Sequence, residues 1–365
     1  MAFQHKVTSI TIKGYKSIKT LENFVLSDLN IMIGSNGAGK SNFISLFKLL
    51  GEITEGRLQS LIRKSGGANT LLYFGAKNTH AIEAKIDFGP NSYWLKLAPT
   101  EDDSLYFEEE GCSYRGPGYN KPFDLSVLSP DRKETGLKLQ SGNITANTLE
   151  SIRSWKLYHF HDTSDTALMK KTGPIDDNAR FKPDASNLSA YLYLLQQKYP
   201  YDFKNITDTI KLIAPFFNAF ILRPSPLKPD SIQLEWQHKN SENYFNASSL
   251  SDGTLRFICL ATLLLQPTEK LPTTILLDEP ELGLHPAAIQ LLTNLLKSTA
   301  TRTQVIVSTQ SVTLINQLKP DSIVVVDRDE EQSLFRRLTV EELKIWLEDY
   351  GLGDMWEKNI IGGRP

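Results

Sequence analysis

Apolar and polar residues alternate with a period of two near the start of the chain and again after residue 80. Residues 7–14 (Val-Thr-Ser-Ile-Thr-Ile-Lys-Gly) read as a strand, and residues 24–33 carry extended chain into a glycine-rich loop. Residues 42–51 then read as a helix, with Phe43, Ile44, Phe47, Leu49 and Leu50 on its apolar faces and Gly51 as its stop. The alternation returns over 81–88 and 92–97 and predicts an antiparallel sheet beside these first elements. Residues 111–147 are rich in Gly, Pro, Ser, Asp and Lys and read as loops, with room for further short strands. From 148 to about 220 the pattern is helical, clearest over 188–195 and 206–213, before strand-like spacing at 220–224 and 232–236. Beyond that a helix (254–265), a strand (273–277), a helix (287–297) and strands at 304–307 and 322–326 alternate. Such alternation implies a largely parallel sheet covered by helices. An amphipathic helix over 340–350 and a Gly-Gly-Arg-Pro tail close the chain.

Composition narrows the class only a little. Apolar residues make up 40% of the 365 and charged residues 22%, as in ordinary globular proteins, and the net charge of −2 advertises no polyanion. No apolar run approaches the length that crosses a bilayer, and no signal-like apolar region precedes the first strand pattern. A cytoplasmic protein without a membrane partner is expected. The two cysteines, Cys112 and Cys259, are too few for a disulfide framework or a zinc site, and Cys259 sits in an apolar run as a buried residue would.

Two segments carry chemistry. Gly34-Ser35-Asn36-Gly37-Ala38-Gly39-Lys40-Ser41 fits the spacing Gly, four residues, Gly-Lys-Ser, between a strand and a helix that continues through Asn42. Its glycines let backbone amides curl around phosphate oxygens, Lys40 should reach the β and γ phosphates, and Ser41 should ligate Mg²⁺. Far downstream, Asp278-Glu279 ends an apolar strand, at the carboxyl edge where parallel sheets bind ligands. Asp278 would hold Mg²⁺ and Glu279 would act as general base on the attacking water. ATP and Mg²⁺ are therefore the expected nucleotide and metal.

These residues resemble the ABC-type P-loop ATPases, specifically the RecF/SMC/OLD-like branch of DNA-repair ATPases and phage-defence nucleases. The expected fold is an α/β P-loop NTPase, an ABC-type ATPase head with an inserted antiparallel sheet and a helical lobe. Ser249-Leu-Ser251-Asp252-Gly253 resembles the ABC signature, with Asp252 in place of the first glycine. In the family this segment meets the γ-phosphate held by a second subunit, so Ser251 and Gly253 are implied nucleotide contacts across a two-fold dimer. The stretch from Pro280 to Pro286 resembles the segment that crosses the dimer interface, and His285 within it reads as a packed histidine. Gln310 stands where the switch strand usually has His; glutamine can donate a hydrogen bond but carries no proton, which bears on the rate of hydrolysis. Lys16 and Ser17 match the early Arg-Ser turn near the nucleotide. A glutamine loop is implied as well, with Gln59 and the Tyr73-Phe74-Gly75 turn as its neighbours.

The resemblance divides the chain into 1–110 (phosphate loop and antiparallel sheet), 111–245 (inserted loops and helical lobe), 246–330 (signature, acidic pair and switch) and 331–365 (a short extension). No long heptad pattern is present, so the chain is not a full SMC protein, and too little follows Asp327 for the nuclease domain of OLD proteins. The nearest likeness is to stand-alone bacterial ATPases of this branch. The expected function is ATP hydrolysis coupled to closing and opening of a homodimer, in DNA repair or anti-phage defence. DNA is one candidate partner, through Lys6, Lys13, Lys16, Lys19, Arg57, Arg63 and Lys64. The alternative is a slow ATP-dependent clamp that regulates a separate effector such as a nuclease or toxin; a transport subunit ranks last. His159 and His161 share a strand-like spacing and read as structural or interface residues.

Overall fold

The computed structural model describes residues 5–116 and 121–364. The first four residues, four residues of the loop-rich stretch and the final proline of the tail, all touched by the readings above, lie outside that range.

Two six-stranded sheets organise the chain. One is antiparallel throughout, in the order β2 (Ile18–Val25), β1 (Val7–Tyr15), β4 (Ile82–Phe88), β5 (Asn91–Pro99), β6 (Leu105–Tyr114), β7 (Phe123–Ser126). The other runs β17 (Gln332–Arg337), β16 (Ile323–Asp329), β3 (Leu29–Ile33), β15 (Gln304–Ser308), β14 (Thr274–Asp278), β8 (Trp155–Tyr158). Its pairings are parallel except the β16–β17 hairpin. Two small sheets complete the inserted region: β9 (Gly173–Pro174) with β11 (Ser231–Ile232), and β10 (Phe217–Ile221), β12 (Glu235–His238) and β13 (Tyr244–Asn246).

The parallel sheet is apolar on both faces, as buried parallel strands must be. Ile31, Ile33, Ile275, Leu277, Val305 and Val307 point into one cluster. There they meet α4 (Leu188–Lys198), α5 (Pro200–Ile213), α6 (Asp252–Leu265), α7 (Pro286–Ala300), α8 (Val312–Ile315), α9 (Val340–Leu343) and α10 (Leu352–Glu357). Met32, Leu276, Ile306 and Val324 point the other way, against α1 (Lys40–Thr54), α2 (Leu58–Lys64), α3 (Asn143–Ser154) and the antiparallel sheet. Truncating a large side chain in either layer would cost about 2–5 kcal/mol.

Several sequence expectations need correction. Residues 24–33 are not one strand: β2 and β3 belong to different sheets, and the turn between them holds the polar Ser27 and Asp28. The loop-rich stretch contains β7 and the first turn of α3, and the helical stretch contains β8. That strand pairs in register with β14, Trp155 to Thr274 and Tyr158 to Leu277, so a piece of the core sheet lies inside the residues assigned to the insertion. Four residues butted against a helix leave too short a run for period two to register. The last stretch is no separate extension either. β17 closes the edge of the core sheet, the expected helix over 340–350 breaks into α9 and a short 3-10 turn, and α10 follows with Trp356 fully buried.

Candidate nucleotide and metal site

Helix α1 has its apolar residues at Phe43, Ile44, Phe47, Leu50 and Ile53, spaced to bury one side. Its amino end carries neither a side-chain cap nor an acidic residue in the first turn. The free amides and positive dipole end are thus left for an anion. The preceding loop is stitched in place from outside. Ser333 of β17 donates to the Ala38 carbonyl at 2.5 Å and shares a hydrogen bond with Ser17 at 2.7 Å. Asn42 donates to that same Ser17 hydroxyl at 2.7 Å. Gly39 has φ +118°, and a Cβ there would sit 2.1 Å from Ser333 Oγ, so the loop needs glycine at this point.

Lys40 is 5% exposed and its Nζ donates to the Gly34 and Ser35 carbonyls at 2.7 and 3.0 Å. Burial lowers its pKa, against the opposing pull of Glu279, Asp278 and Glu281. Its charge thus faces the acidic cluster across the loop. Ser41 Oγ donates to Asp278 Oδ1 at 3.4 Å, and Ser308 donates to the same carboxylate oxygen. The helix-start hydroxyl and the strand-end carboxylate meet at the carboxyl edge of the sheet. This set of hard oxygen donors fits Mg²⁺, which would take Ser41 and Asp278 as ligands.

Beside them Glu279 adopts φ +45°, a left-handed conformation costly for a residue with a Cβ, held by its amide's bond to the Ser308 carbonyl at 2.9 Å. Gln310 bridges the strand ends. Its Nε2 donates to Glu279 Oε1 at 2.5 Å and to Asn36 Oδ1 of the phosphate loop at 2.7 Å. Glu281 holds the switch from behind: its Oε1 accepts from Thr309 Oγ1 at 2.5 Å and from the Gln310 amide at 3.0 Å. Its Oε2 is buried without a partner, and burial raises its pKa.

Ser251 caps α6, accepting from the Thr254 amide at 3.2 Å, and is exposed. Among the described residues its hydroxyl bonds only to Thr254 of that first turn. Gly253 lies under the segment after Glu279, where a Cβ would come within 2.5 Å of the Gly283 carbonyl. Three residues on, Arg256 ties three pieces together: it donates to the carbonyls of Phe160 at 3.0 Å, His161 at 3.2 Å and Leu282.

The remaining candidates separate. Lys16 turns to Ser45 of α1 at 3.0 Å, one turn beyond the loop, and burial lowers its pKa. His285 caps α7, its Nδ1 accepting from the Ala287 amide. Gln59 donates to the Leu105 and Lys133 carbonyls at 2.8 and 2.7 Å, which ties it to β6 rather than to the nucleotide loop. Instead the carboxyl end of β8 lies beside Asp278, and the residues that follow are His159, Phe160 and His161. Burial lowers the pKa of His159, with Asp278 opposing and His161 and Lys48 adding to the fall. The two rings are 6.0 Å apart. Their paired spacing was visible in the sequence; their place was not, because β8 was hidden. Among the described residues no group of three His, Cys, Asp or Glu could form a further metal site. Of the basic residues near the front, Lys6 pairs with Asp28, Lys13 with Glu22 and Arg57 with Glu52.

A phosphate loop, an acidic strand end, a signature helix and a switch strand on one parallel sheet define a P-loop ATPase of the ABC type with the fold of an SMC head. Over residues 29–316 the sequence matches the family described as "AAA domain, putative AbiEii toxin, Type IV TA system", and the chain belongs to that family. No match was found among curated proteins. Among solved structures the chain is similar to an SMC head bound to the C-winged helix domain of ScpA, with 16% identity and a TM-score of 0.57, covering 93% of this chain and 99% of that one. It is also similar to an SMC head with an extended coiled coil bound to the C-terminal domain of ScpA from Pyrococcus furiosus (13%, 0.58, 94% and 99%). A third likeness is to an SMC head with a coiled coil and joint from Pyrococcus yayanosii (12%, 0.54, 94% and 99%). At these identities the likeness concerns the fold. Among the described residues no helix is long and apolar enough to cross a membrane.

Proposed function

We propose that the chain hydrolyses ATP with Mg²⁺ in a two-fold dimer that closes on nucleotide and opens after hydrolysis, in DNA repair or anti-phage defence. The observation that carries this reading is the meeting of Ser41, Asp278, Glu279 and Gln310 at one strand edge. Lys40 leaves the Gly34 and Ser35 carbonyls for the β and γ phosphates, and the amides of residues 34–42 surround the β-phosphate. Mg²⁺ on Ser41 and Asp278 supplies neutralisation of phosphate charge. Glu279 takes the proton of a water that attacks the γ-phosphorus as the bond to the β-bridging oxygen breaks, giving ADP and phosphate. Gln310, already bonded to Glu279, aims that carboxylate and senses the phosphate loop through Asn36. Ser251 and Gly253 of the second copy complete the site over the γ-phosphate, with the amino end of α6 favouring the anion.

The family description, which names a Type IV TA system, favours the defence side. A second reading, a slow clamp acting on a partner protein, is favoured by two observations. Three of the front cations are paired with carboxylates, and two of the similar SMC heads were solved with a ScpA domain bound. The test is Glu279→Gln. It should keep ATP binding, lower turnover by about 100-fold or more, and trap a dimer seen by light scattering; unchanged turnover would remove Glu279 as the base. Duplex DNA added to the wild type should raise turnover in a salt-sensitive way, and no response would favour the clamp.

A further inference from the structure

Beside β8, the edge strand of the core sheet, lies a second concave site. Trp155 and Leu157 of β8 pack into the layer under α1, so strand alternation sends Lys156 and Tyr158 to the opposite face. There Lys156 opens into a cavity of about 730 Å³ between β8, the end of α3, the loop around Arg180 and the turn before β14. That volume lies in the range of small-molecule pockets.

Five cations line it, and three are accounted for. Arg153 pairs with Glu55 at 3.1 Å, Lys182 pairs with Asp177, and Lys270 donates to the Ala179 carbonyl at 3.4 Å. The two lining carboxylates do not compensate the rest: Glu269 engages Tyr199, and Glu150 is exposed on α3. Lys156 and Arg180 are left facing the cavity with no hydrogen bond or ion pair from the described residues. Lys156 is half-buried on its strand, and burial first, then Arg180, pulls its pKa down, with Glu55 opposing and Arg153 adding to the fall. Two like charges held near each other at a concave, partly desolvated surface favour an anion between them. Leu149, Leu271 and Pro272 give the same cavity an apolar wall.

We infer that this cavity binds a small phosphorylated ligand, with its phosphate between Lys156 and Arg180 and its apolar part against Leu149, Leu271 and Pro272. The site lies at the β8 edge of the sheet, shares no residue with the phosphate loop, and would fill without nucleotide there. It reaches the ATPase edge through Tyr158, whose strand partner Leu277 directly precedes Asp278.

The test is calorimetric titration of pyrophosphate into the full chain carrying Lys40→Ala, which silences the phosphate loop. One saturable site should remain, and adding Lys156→Gln with Arg180→Gln should weaken it at least tenfold, whereas Lys156→Arg should keep it. Arg180→Gln alone, on an exposed loop, should weaken it measurably should the Lys156 change disturb folding. Loss of all binding in Lys40→Ala, or equal binding in the double glutamine variant, would overturn the inference. So would a short DNA duplex that binds Lys40→Ala more tightly than pyrophosphate and loses that binding on the same two substitutions, because the phosphates would then belong to nucleic acid.

Discussion

Glu281 shows how one buried carboxylate can bear on both stability and switching. It accepts from Thr309 and Gln310 with one oxygen and leaves the other buried and unpartnered. Burial raises its pKa in the folded chain above that of an unfolded glutamate, so between those two values the folded state binds more protons. Stability contributed by this residue is full below the unfolded pKa and is lost as pH rises through the folded one. Glu281→Gln preserves an acceptor for Thr309 and the Gln310 amide but has no charge to bury. Urea melts of wild type and variant should therefore diverge in favour of the variant as pH rises across that window. Parallel curves would mean that the carboxylate is not titrating there. The glutamine at position 310 fits the same logic. It cannot relay a proton, but it donates to the carboxylate of Glu279, whose backbone is strained.

At the scale of elements, α6 and the strand edge at Asp278 are one mechanical unit. Arg256 on α6 grips the loop after β8 and the segment after Glu279 together, and Gly253 lets the two backbones touch. A nucleotide contact at the start of α6 in one copy would be felt at Glu279 of that same copy. Arg256→Ala should leave ATP affinity within a few-fold while lowering turnover by about tenfold or more, since it loosens groups placed for the transition state. An equal loss in both would assign Arg256 to folding alone. Elements also set what the sequence could tell. The phosphate-loop pattern between strand and helix, and the acidic pair at a strand end, were legible in place because each is a local pattern of adjacent residues. β8 and β17 were not, since a four-residue strand and a hairpin strand are defined by what they pair with far along the chain. With β8 went the place of His159 beside Asp278, and with β17 the support of Ser333 under Ala38. Lys16 kept its sequence match, but its side chain settled on Ser45, a choice made by burial rather than by motif.

The whole molecule as a single chain has an asymmetric site: Lys40, Ser41, Asp278 and Glu279 converge, while Ser251 stands exposed and bonds only within its own helix turn. If two copies share each nucleotide, one active site takes Glu279 from one chain and Ser251 from the other. Ser251→Arg should then abolish turnover in its homodimer, as Glu279→Gln does. Mixing the two variants separates this from damage to a self-contained site. A mixed dimer has one site with both lesions and one site with neither. With random pairing at equal amounts, half the dimers are mixed and half of their sites are intact, so activity should return to about a quarter of wild type if the sites act independently. Two dead variants that stay dead on mixing, each still folded and able to bind ATP, would mean that every chain must complete its own site. That outcome would leave the exposed Ser251 as a helix cap.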